Sequence, residues 1–154
     1  MVVAAWRLMG WLHNHGMHLP AQVVKGALFV LVNALLFPQT TPGERIRLGH
    51  LGKGISVHPQ TKFGADVLIH PNVTLTTDTP VGSDRYMVIG NRVTIGVCSV
   101  IVGPVSIGDD AVIGAGAVVT RDVPPGAVVA GSPAQVISMK GVEINARRFA
   151  GATS

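Results

Sequence analysis

The chain has 154 residues, of which 47% are hydrophobic and 13% are charged, and its formal net charge is +4. This length suits one domain with its own core, and a hydrophobic chain without charge runs is not disordered. Because the sequence has no run of more than two basic residues and aromatic residues are few, a nucleic-acid-binding protein is disfavoured. Cys98 is the single cysteine, which excludes an intrachain disulfide, and its apolar neighbours predict a small core residue.

Two apolar segments near the start of the chain predict helices at Val3–His15 and Ala21–Phe37, separated by the sequence GMHLP. Lys25 and Asn33 interrupt the second segment, which falls short of the roughly 20 apolar residues that span a membrane. No secretion signal is recognisable, so we expect a cytoplasmic protein. We expect residues 1–43 to cover one end of the domain or to contact a partner. Contact with the inner surface of the membrane is the alternative.

Large apolar residues recur at every sixth position from residue 51 onward. The positions in this register are Leu51, Val57, Phe63, Ile69, Leu75, Ile89, Ile95, Ile101, Ile107, Ile113 and Val119. Each hexad predicts a short strand with its aliphatic side chain pointing inward, followed by a tight turn of small residues. Three hexads make one triangular coil, and stacked coils pair as parallel strands. The pattern therefore predicts a mainly β protein, a parallel β-helix over residues 44–137, with a C-terminal tail at 138–154.

One interruption of the register lies between Leu75 and Ile89, where eight extra residues are inserted. We predict a loop at 76–88 that leaves the β-helix and returns in register. Loops on a rigid scaffold often carry functional residues, and the loop residues Asp84, Arg85 and Tyr86 suit contact with a ligand.

The segment SIGDDAVIGAGAVVTRDVPPGAVVAGSPAQVI strongly resembles the C-terminal coils of hexapeptide-repeat acyltransferases. The segments RLGHLGKGISVHP, IHPNVTL and SDRY resemble the serine acetyltransferase branch, which includes O-acetyltransferases acting on sugars and polysaccharides. The resemblance covers roughly residues 20–137, and the N-terminal segment ending in LLFPQTTPG is more similar to the polysaccharide enzymes. It implies a left-handed parallel β-helix, a homotrimer with active sites between neighbouring chains, and acetyl-CoA as co-substrate without a metal.

The resemblance also implies roles for individual residues. His50 in HLGKGISV stands at the position of the family's general base, and an ordinary imidazole is largely neutral at pH 7. It would take the proton of an acceptor hydroxyl that attacks the thioester directly. The positions matching the coenzyme site are Thr77, Gly96, Val97, Gly114, Ala115, Arg121, Ser132 and Pro133. A solvated surface charge is an equal alternative for Arg121.

The acceptor site is expected to involve Arg85, Tyr86 and His70, although a simple turn role for His70 is an alternative. Three departures from serine acetyltransferases concern this site. Gly49 stands where they carry an aspartate before the histidine, Tyr86 replaces a histidine, and the segment upstream of His50 offers only Glu44 as an acid. Because groups that recognise a zwitterionic amino acid are missing, we expect a hydroxyl of a sugar or polysaccharide precursor as the acceptor.

Three alternatives to this function were weighed. The first is a serine O-acetyltransferase, and the second is a non-catalytic β-helix that only assembles or binds a partner. The third, a zinc-dependent carbonic anhydrase using three histidines, is disfavoured because His58 and His70 are twelve residues apart and fall on different faces. We interpret His58 as a turn residue.

Overall fold

The computed structural model describes residues 1–78 and 80–150, in which three α-helices, one 3-10 helix at Gly49–Gly52 and thirteen short strands are connected by turns. The helices are α1 Val2–Asn14, α2 His18–Val32 and α3 Gly141–Phe149. The strands are β1 Arg47–Leu48, β2 Ser56–Val57, β3 Thr61–Phe63, β4 Leu68–Ile69, β5 Thr74–Thr76, β6 Met87–Ile89, β7 Thr94–Ile95, β8 Val100–Val102, β9 Ser106–Ile107, β10 Val112–Ile113, β11 Val118–Val119, β12 Val128–Gly131 and β13 Ala134–Ser138.

The strands form three sheets, one for each side of a triangular β-helix. The first sheet has the order β1-β4-β7-β10-β12-β13, the second β11-β8-β5-β2, and the third β3-β6-β9. All pairs are parallel except β12 with β13. Thr94 pairs with Val112, so one coil takes 18 residues. Leu68 pairs with Thr94, 26 residues away, because that coil contains the inserted loop. The predicted repeat and its eight-residue insertion are confirmed.

The hexad side chains form the core of the β-helix. Nine of them are at most 2% exposed: Val57, Ile69, Leu75, Ile89, Ile95, Ile101, Ile107, Ile113 and Val119. Burial of each such side chain contributes about 1.5–3 kcal/mol, so this column dominates the stability of the fold. Phe63 is half-buried. Leu51 is 59% exposed, and its assignment to the core column was wrong because its left-handed backbone turns the side chain outward.

The α1–α2 hairpin covers the first coil. Covering one end of the domain was one of the two arrangements expected for residues 1–43. Trp6 is fully buried, lies edge-on to Phe63 with ring centroids 5.8 Å apart, and donates its indole N–H to the Phe37 carbonyl. The predicted second helix was too long, because α2 ends at Val32 where Asn33 adopts φ 53°. The chain then enters the β-helix, where Leu35 pairs with Ser56.

The outer surface of α2 leaves several apolar side chains exposed, among them Leu19, Val30 and Leu31. Contact of this surface with a membrane stays a prediction. Within residues 1–78 and 80–150, no helix combines the length and the apolar character needed to cross a bilayer.

Helix α3 lies in the segment that sequence analysis treated as a C-terminal tail. It begins where the Gly141 N–H donates to the Gly126 carbonyl, and it runs along the outer face of the first sheet to the first coil. Asn145 is fully buried: it accepts a hydrogen bond from Thr94 Oγ1 at 2.7 Å and donates to the carbonyls of Arg92 and Asp110. The helix is therefore an integral part of the fold.

Candidate active site

Three corners connect the three sheets, and each consists of stacked turns. The histidine corner comprises the turns after β1, β4, β7 and β10, which are residues 49–55, 70–73, 96–99 and 114–117. The loop corner comprises the turns after β2, β5, β8 and β11, which are residues 58–60, 77–78 with 80–86, 103–105 and 120–122. The ion-pair corner comprises the turns after β3, β6 and β9, which are residues 64–67, 90–93 and 108–111.

His50 and His70 lie on adjacent coils of the histidine corner. Leu48 pairs with Ile69, so Gly49 lies directly over His70, and a Cβ added at Gly49 would lie 3.5 Å from His70 Nδ1. His50 is exposed and His70 is half-buried. Burial, followed by the positive charges of Arg148 and His50, lowers the pKa of His70. The neutral form of His70 is therefore favoured beside the candidate base.

The backbone at His50 is held in an unusual conformation. His50 has φ 46° and Leu51 has φ 61°, and Gly52 follows with φ 74°. A left-handed conformation costs about 1–2 kcal/mol for each residue other than glycine. Strain of this kind concentrates at functional sites, where the surrounding structure holds it in place. Here the short turn directs the imidazole of His50 toward solvent at the open edge of the first coil.

The predicted coenzyme residues Gly96, Val97, Gly114 and Ala115 continue the histidine corner below His70. A Cβ at Gly96 would come within 2.7 Å of the Ala115 nitrogen, and one at Gly114 within 3.0 Å of the Val129 carbonyl. These glycines are therefore required first of all for close stacking of the coils. Val97 and Ala115 are exposed beside them and form an open edge.

Ser132 and Pro133 extend this edge. They are exposed in the tight turn between β12 and β13, and their peptide bond is cis. Ala130, at the end of β12, lies directly beneath Gly114, because a Cβ at Gly114 would lie 3.1 Å from Ala130 Cβ. These two predicted coenzyme residues therefore lie at the end of the corner opposite to His50.

Four other predicted site residues, Thr77, Arg85, Tyr86 and Arg121, lie on the loop corner. The second sheet separates this corner from the histidine corner, so one chain does not bring Arg85 and Tyr86 together with His50 and His70. Lys62 lies over the Tyr86 ring, with Nζ 3.6 Å from the ring centroid. A cleft of about 780 Å³ on the third sheet includes Lys62 and Tyr86 in its lining but neither histidine.

Gln60 anchors the inserted loop and was missed by sequence analysis. Its side chain is buried, its Nε2 donates to the Ser83 carbonyl at 2.7 Å, and its Oε1 accepts from the Gly82 N–H at 3.2 Å. Nothing in the hexad pattern distinguishes this glutamine from an ordinary turn residue. Its contacts exist only because the loop folds back across the turn after β2.

The remaining histidine and the cysteine of these turns are explained by local structure. His58 Nδ1 accepts a hydrogen bond from the Gln60 N–H at 3.1 Å, and burial lowers the pKa of His58, so its predicted turn role is confirmed. Cys98 was expected in the core but is exposed. Its φ of 58° in the turn between β7 and β8 directs the side chain outward.

The charges of the histidine corner are not balanced locally. Its turns contain no Asp or Glu, so they supply no carboxylate to orient His50. Within the described ranges 1–78 and 80–150, no group of three or more His, Cys, Asp or Glu side chains is placed to hold a metal ion.

The sequence of this chain is similar to those of known transferases. Residues 86–121 match the family described as bacterial transferase hexapeptide, six repeats. A serine acetyltransferase of Mycobacterium tuberculosis is 38% identical over 138 residues, 88% of this chain and 60% of that protein. A serine acetyltransferase of Helicobacter pylori is 31% identical over 133 residues, 86% of this chain and 77% of that protein. This chain thus spans less than two thirds of the Mycobacterium protein.

Solved serine acetyltransferases superpose on most of this chain, and the superposed part makes up little more than half of each of those chains. The enzyme of Neisseria gonorrhoeae has a TM-score of 0.83 at 30% identity, covering 89% of this chain and 53% of that one. That of Brucella abortus in complex with coenzyme A has a TM-score of 0.83 at 28% identity, covering 88% and 54%. The soybean enzyme complexed with serine has a TM-score of 0.81 at 31% identity, covering 88% and 56%.

These similarities decide two questions that the strand pairing leaves open. The repeat family and the superposed structures identify the β-helix as left-handed, as the resemblance implied and against the usual right-handed rule for parallel connections. The relatives are serine acetyltransferases, which favours that branch over the polysaccharide enzymes. The chain belongs to the serine acetyltransferase family of hexapeptide-repeat transferases.

Proposed function

We propose that the protein is an acetyl-CoA-dependent O-acetyltransferase whose acceptor is L-serine. The observation that carries this proposal is the position of His50, exposed at one end of a corner whose other turns contain residues predicted to bind the coenzyme. Two superposed relatives support the two ligands, since one structure is a complex with coenzyme A and another a complex with serine. The acetyl group would move from sulfur to the hydroxyl oxygen of the acceptor.

The reaction requires one proton acceptor and no covalent enzyme intermediate. His50 takes the proton of the serine hydroxyl while the oxygen attacks the thioester carbonyl. The tetrahedral intermediate collapses, the carbon–sulfur bond breaks, and the imidazolium returns the proton to the coenzyme thiolate. The products are O-acetylserine and free coenzyme A. A backbone N–H or a nearby polar group would stabilise the oxyanion.

We further propose a homotrimer in which each active site lies between two chains. The two corners that carry the predicted residues are separate edges of one β-helix, so a complete site needs the histidine corner of one chain and the loop corner of the next. A closed ring of three chains brings these two edges together at every interface. Thr77 and Arg121 would then reach the coenzyme, and Arg85 and Tyr86 the acceptor, from the neighbouring chain.

The acceptor is where the sequence expectation and the relatives differ. Sequence analysis favoured a sugar hydroxyl because Gly49 and Tyr86 replace groups that recognise an amino acid. The relatives support serine instead. Gly49 supplies no acidic group above His70, so we expect weaker binding of the serine ammonium than an aspartate would give.

The test is thiol release from acetyl-CoA with L-serine, and with monosaccharides and oligosaccharides as alternative acceptors. We expect His50→Asn to lower kcat with serine about 10²- to 10⁴-fold, the usual contribution of a general base. Asparagine tolerates the left-handed backbone at this position, so the variant should fold. The matched control is His58→Asn, eight residues away, which should retain activity.

Three results would contradict the proposal. Serine turnover that persists in His50→Asn would show that His50 is not the general base. Turnover with a saccharide but not with serine would show that the acceptor is a saccharide hydroxyl. Wild-type protein that releases no thiol with any acceptor of the panel leaves a non-catalytic β-helix, even if it binds coenzyme A.

A further inference from the structure

The helix α2 is apolar on two opposite sides, and only one of them is covered. Ala21 and Leu28 are buried toward the rest of the fold. Leu19, Val23 and Val30 lie on the opposite side of the helix and are 71–82% exposed. A helix that is apolar nearly all round is normally buried on every side. Because no described part of the chain covers this second side, its composition points to a partner outside the chain.

The polar residues of α2 form a stripe along one flank of the exposed side. His18, Gln22 and Lys25 are its three polar residues, and their spacing of four and three places them on one side of the helix. Lys25 is half-buried, with Nζ 4.1 Å from the ring centroid of Phe37. A wide apolar side next to a polar stripe with a cation is typical of helices that lie on a membrane surface.

The first helix extends the apolar surface of the second. A groove of about 270 Å³ between α1 and α2 is lined only by apolar residues, among them Ala5, Val23 and Leu31. On the side of α1 opposite to the buried Trp6, the Trp11 ring is half-exposed, and tryptophan is enriched where a protein meets the headgroups of a bilayer. The exposed apolar residues of the two helices, here called the hairpin surface, are Trp11, Leu19, Val23, Val30 and Leu31.

Charge distinguishes two occupants of the hairpin surface, an anionic membrane and a second copy of the chain. Residues 1–43 contain Arg7 and Lys25 but neither Asp nor Glu. Two copies that faced each other through this segment would bring like charges together without an acid to pair with them. Anionic lipid headgroups supply the opposite charge, and each Lys or Arg close to them strengthens binding. The charges therefore favour the membrane.

We propose that the α1–α2 hairpin docks the protein on an anionic membrane surface, with the hairpin surface at the boundary between headgroups and acyl chains. This inference goes beyond the proposed function, because it concerns where the enzyme works and not its reaction. In the proposed trimer, corners that meet along their lengths keep the three β-helices parallel, so all three hairpins face the same way. Three contacts with one surface bind more tightly than one contact alone.

The experiment measures co-sedimentation of the full chain with vesicles of phosphatidylglycerol and phosphatidylethanolamine, or of phosphatidylcholine alone. We expect wild type to bind the anionic vesicles about tenfold more tightly than the zwitterionic ones. The double variant Val23→Glu with Val30→Glu places carboxylates in the contact and should weaken binding to anionic vesicles about tenfold or more. The matched control is Ile137→Glu with Val142→Glu, at exposed apolar positions of β13 and α3, which should bind like wild type.

The inference is overturned if wild type binds no vesicles, if it binds both kinds equally, or if the double variant at Val23 and Val30 binds like wild type. Light scattering tests the other occupant. A wild-type assembly of six chains that the same variant reduces to three, without binding to vesicles, would assign the hairpin surface to a second copy. Thiol release with L-serine in solution should be unchanged in this variant, because α2 lies on neither predicted corner of the active site. Failure of the proposed function is therefore measured separately.

Discussion

The histidine corner and the ion-pair corner are built from the same kind of turn but are filled differently. Both use left-handed residues at equivalent places in the repeat: Asn72 and Cys98 have φ 58° at the histidine corner, while Asp66 and Asp110 have φ 58° and 59° at the ion-pair corner. The backbone therefore does not distinguish the two corners. The side chains do.

At the ion-pair corner, charged side chains satisfy one another from coil to coil. Arg92 donates to both oxygens of Asp110, at 2.8 and 2.6 Å, and the Asn91 N–H donates to Asp109 at 2.7 Å, which lowers the pKa of Asp109. The histidine corner has no acid in its turns and leaves His50 exposed. The same repeat thus forms one edge whose charged side chains pair with one another and one edge whose turns contain no acidic residue. The difference lies in the side chains of the turns.

Asn145→Ala is expected to have the largest effect on stability, because Asn145 is fully buried and holds α3 against the first sheet. It binds the Arg92 and Asp110 carbonyls of the ion-pair corner and accepts a hydrogen bond from Thr94 of β7. Removing the side chain leaves those groups and the Thr94 hydroxyl unpaired in a buried place, which should lower the free energy of unfolding by about 2–4 kcal/mol. Chemical denaturation measures this change.

Glu143→Ala, an exposed position on the same helix, is the control and should change the free energy of unfolding by little. Full stability in Asn145→Ala would show that the docking of α3 does not depend on this contact.

Asp110→Asn should have a smaller effect, confined to stability. The Asp110 side chain is 14% exposed and that of Arg92 is 49% exposed, so solvent screens the pair and its loss should cost only about 0.5–1 kcal/mol. Serine acetylation should be unchanged. His50→Asn should show the reverse behaviour, with activity lost and the melting temperature retained. Loss of activity in Asp110→Asn without loss of stability would contradict the division between the two corners.

The hexad register predicted most of the β-helix. A period of six determines which side chains point inward, so Ile69, Ile95 and Ile113 were placed correctly, and the break in the period located the loop. The period does not determine backbone conformation within a turn. Leu51 was assigned to the interior from its register and Cys98 from its apolar neighbours, although left-handed turns direct both side chains outward.

The hexad pattern also could not predict contacts between segments that are distant in the sequence. The sequence of α3 is short and polar, and its position depends on one buried asparagine that reaches groups 35 to 53 residues away. Gln60 likewise finds its partners only after the loop has folded back. The resemblance gave the candidate residues of the site. Their division between two corners became visible only from the strand pairing.

The central claim is that each active site combines the histidine corner of one chain with the loop corner of another, and subunit complementation tests it most directly. Chains carrying His50→Asn and chains carrying Arg85→Ala together with Arg121→Ala are each expected to be nearly inactive alone. Co-expressed in equal amounts with different affinity tags and purified through both, they should regain about one third of the wild-type activity, since every mixed trimer has two intact edges at one of its three interfaces. Activity no higher than the mean of the two variants would contradict a site shared between chains.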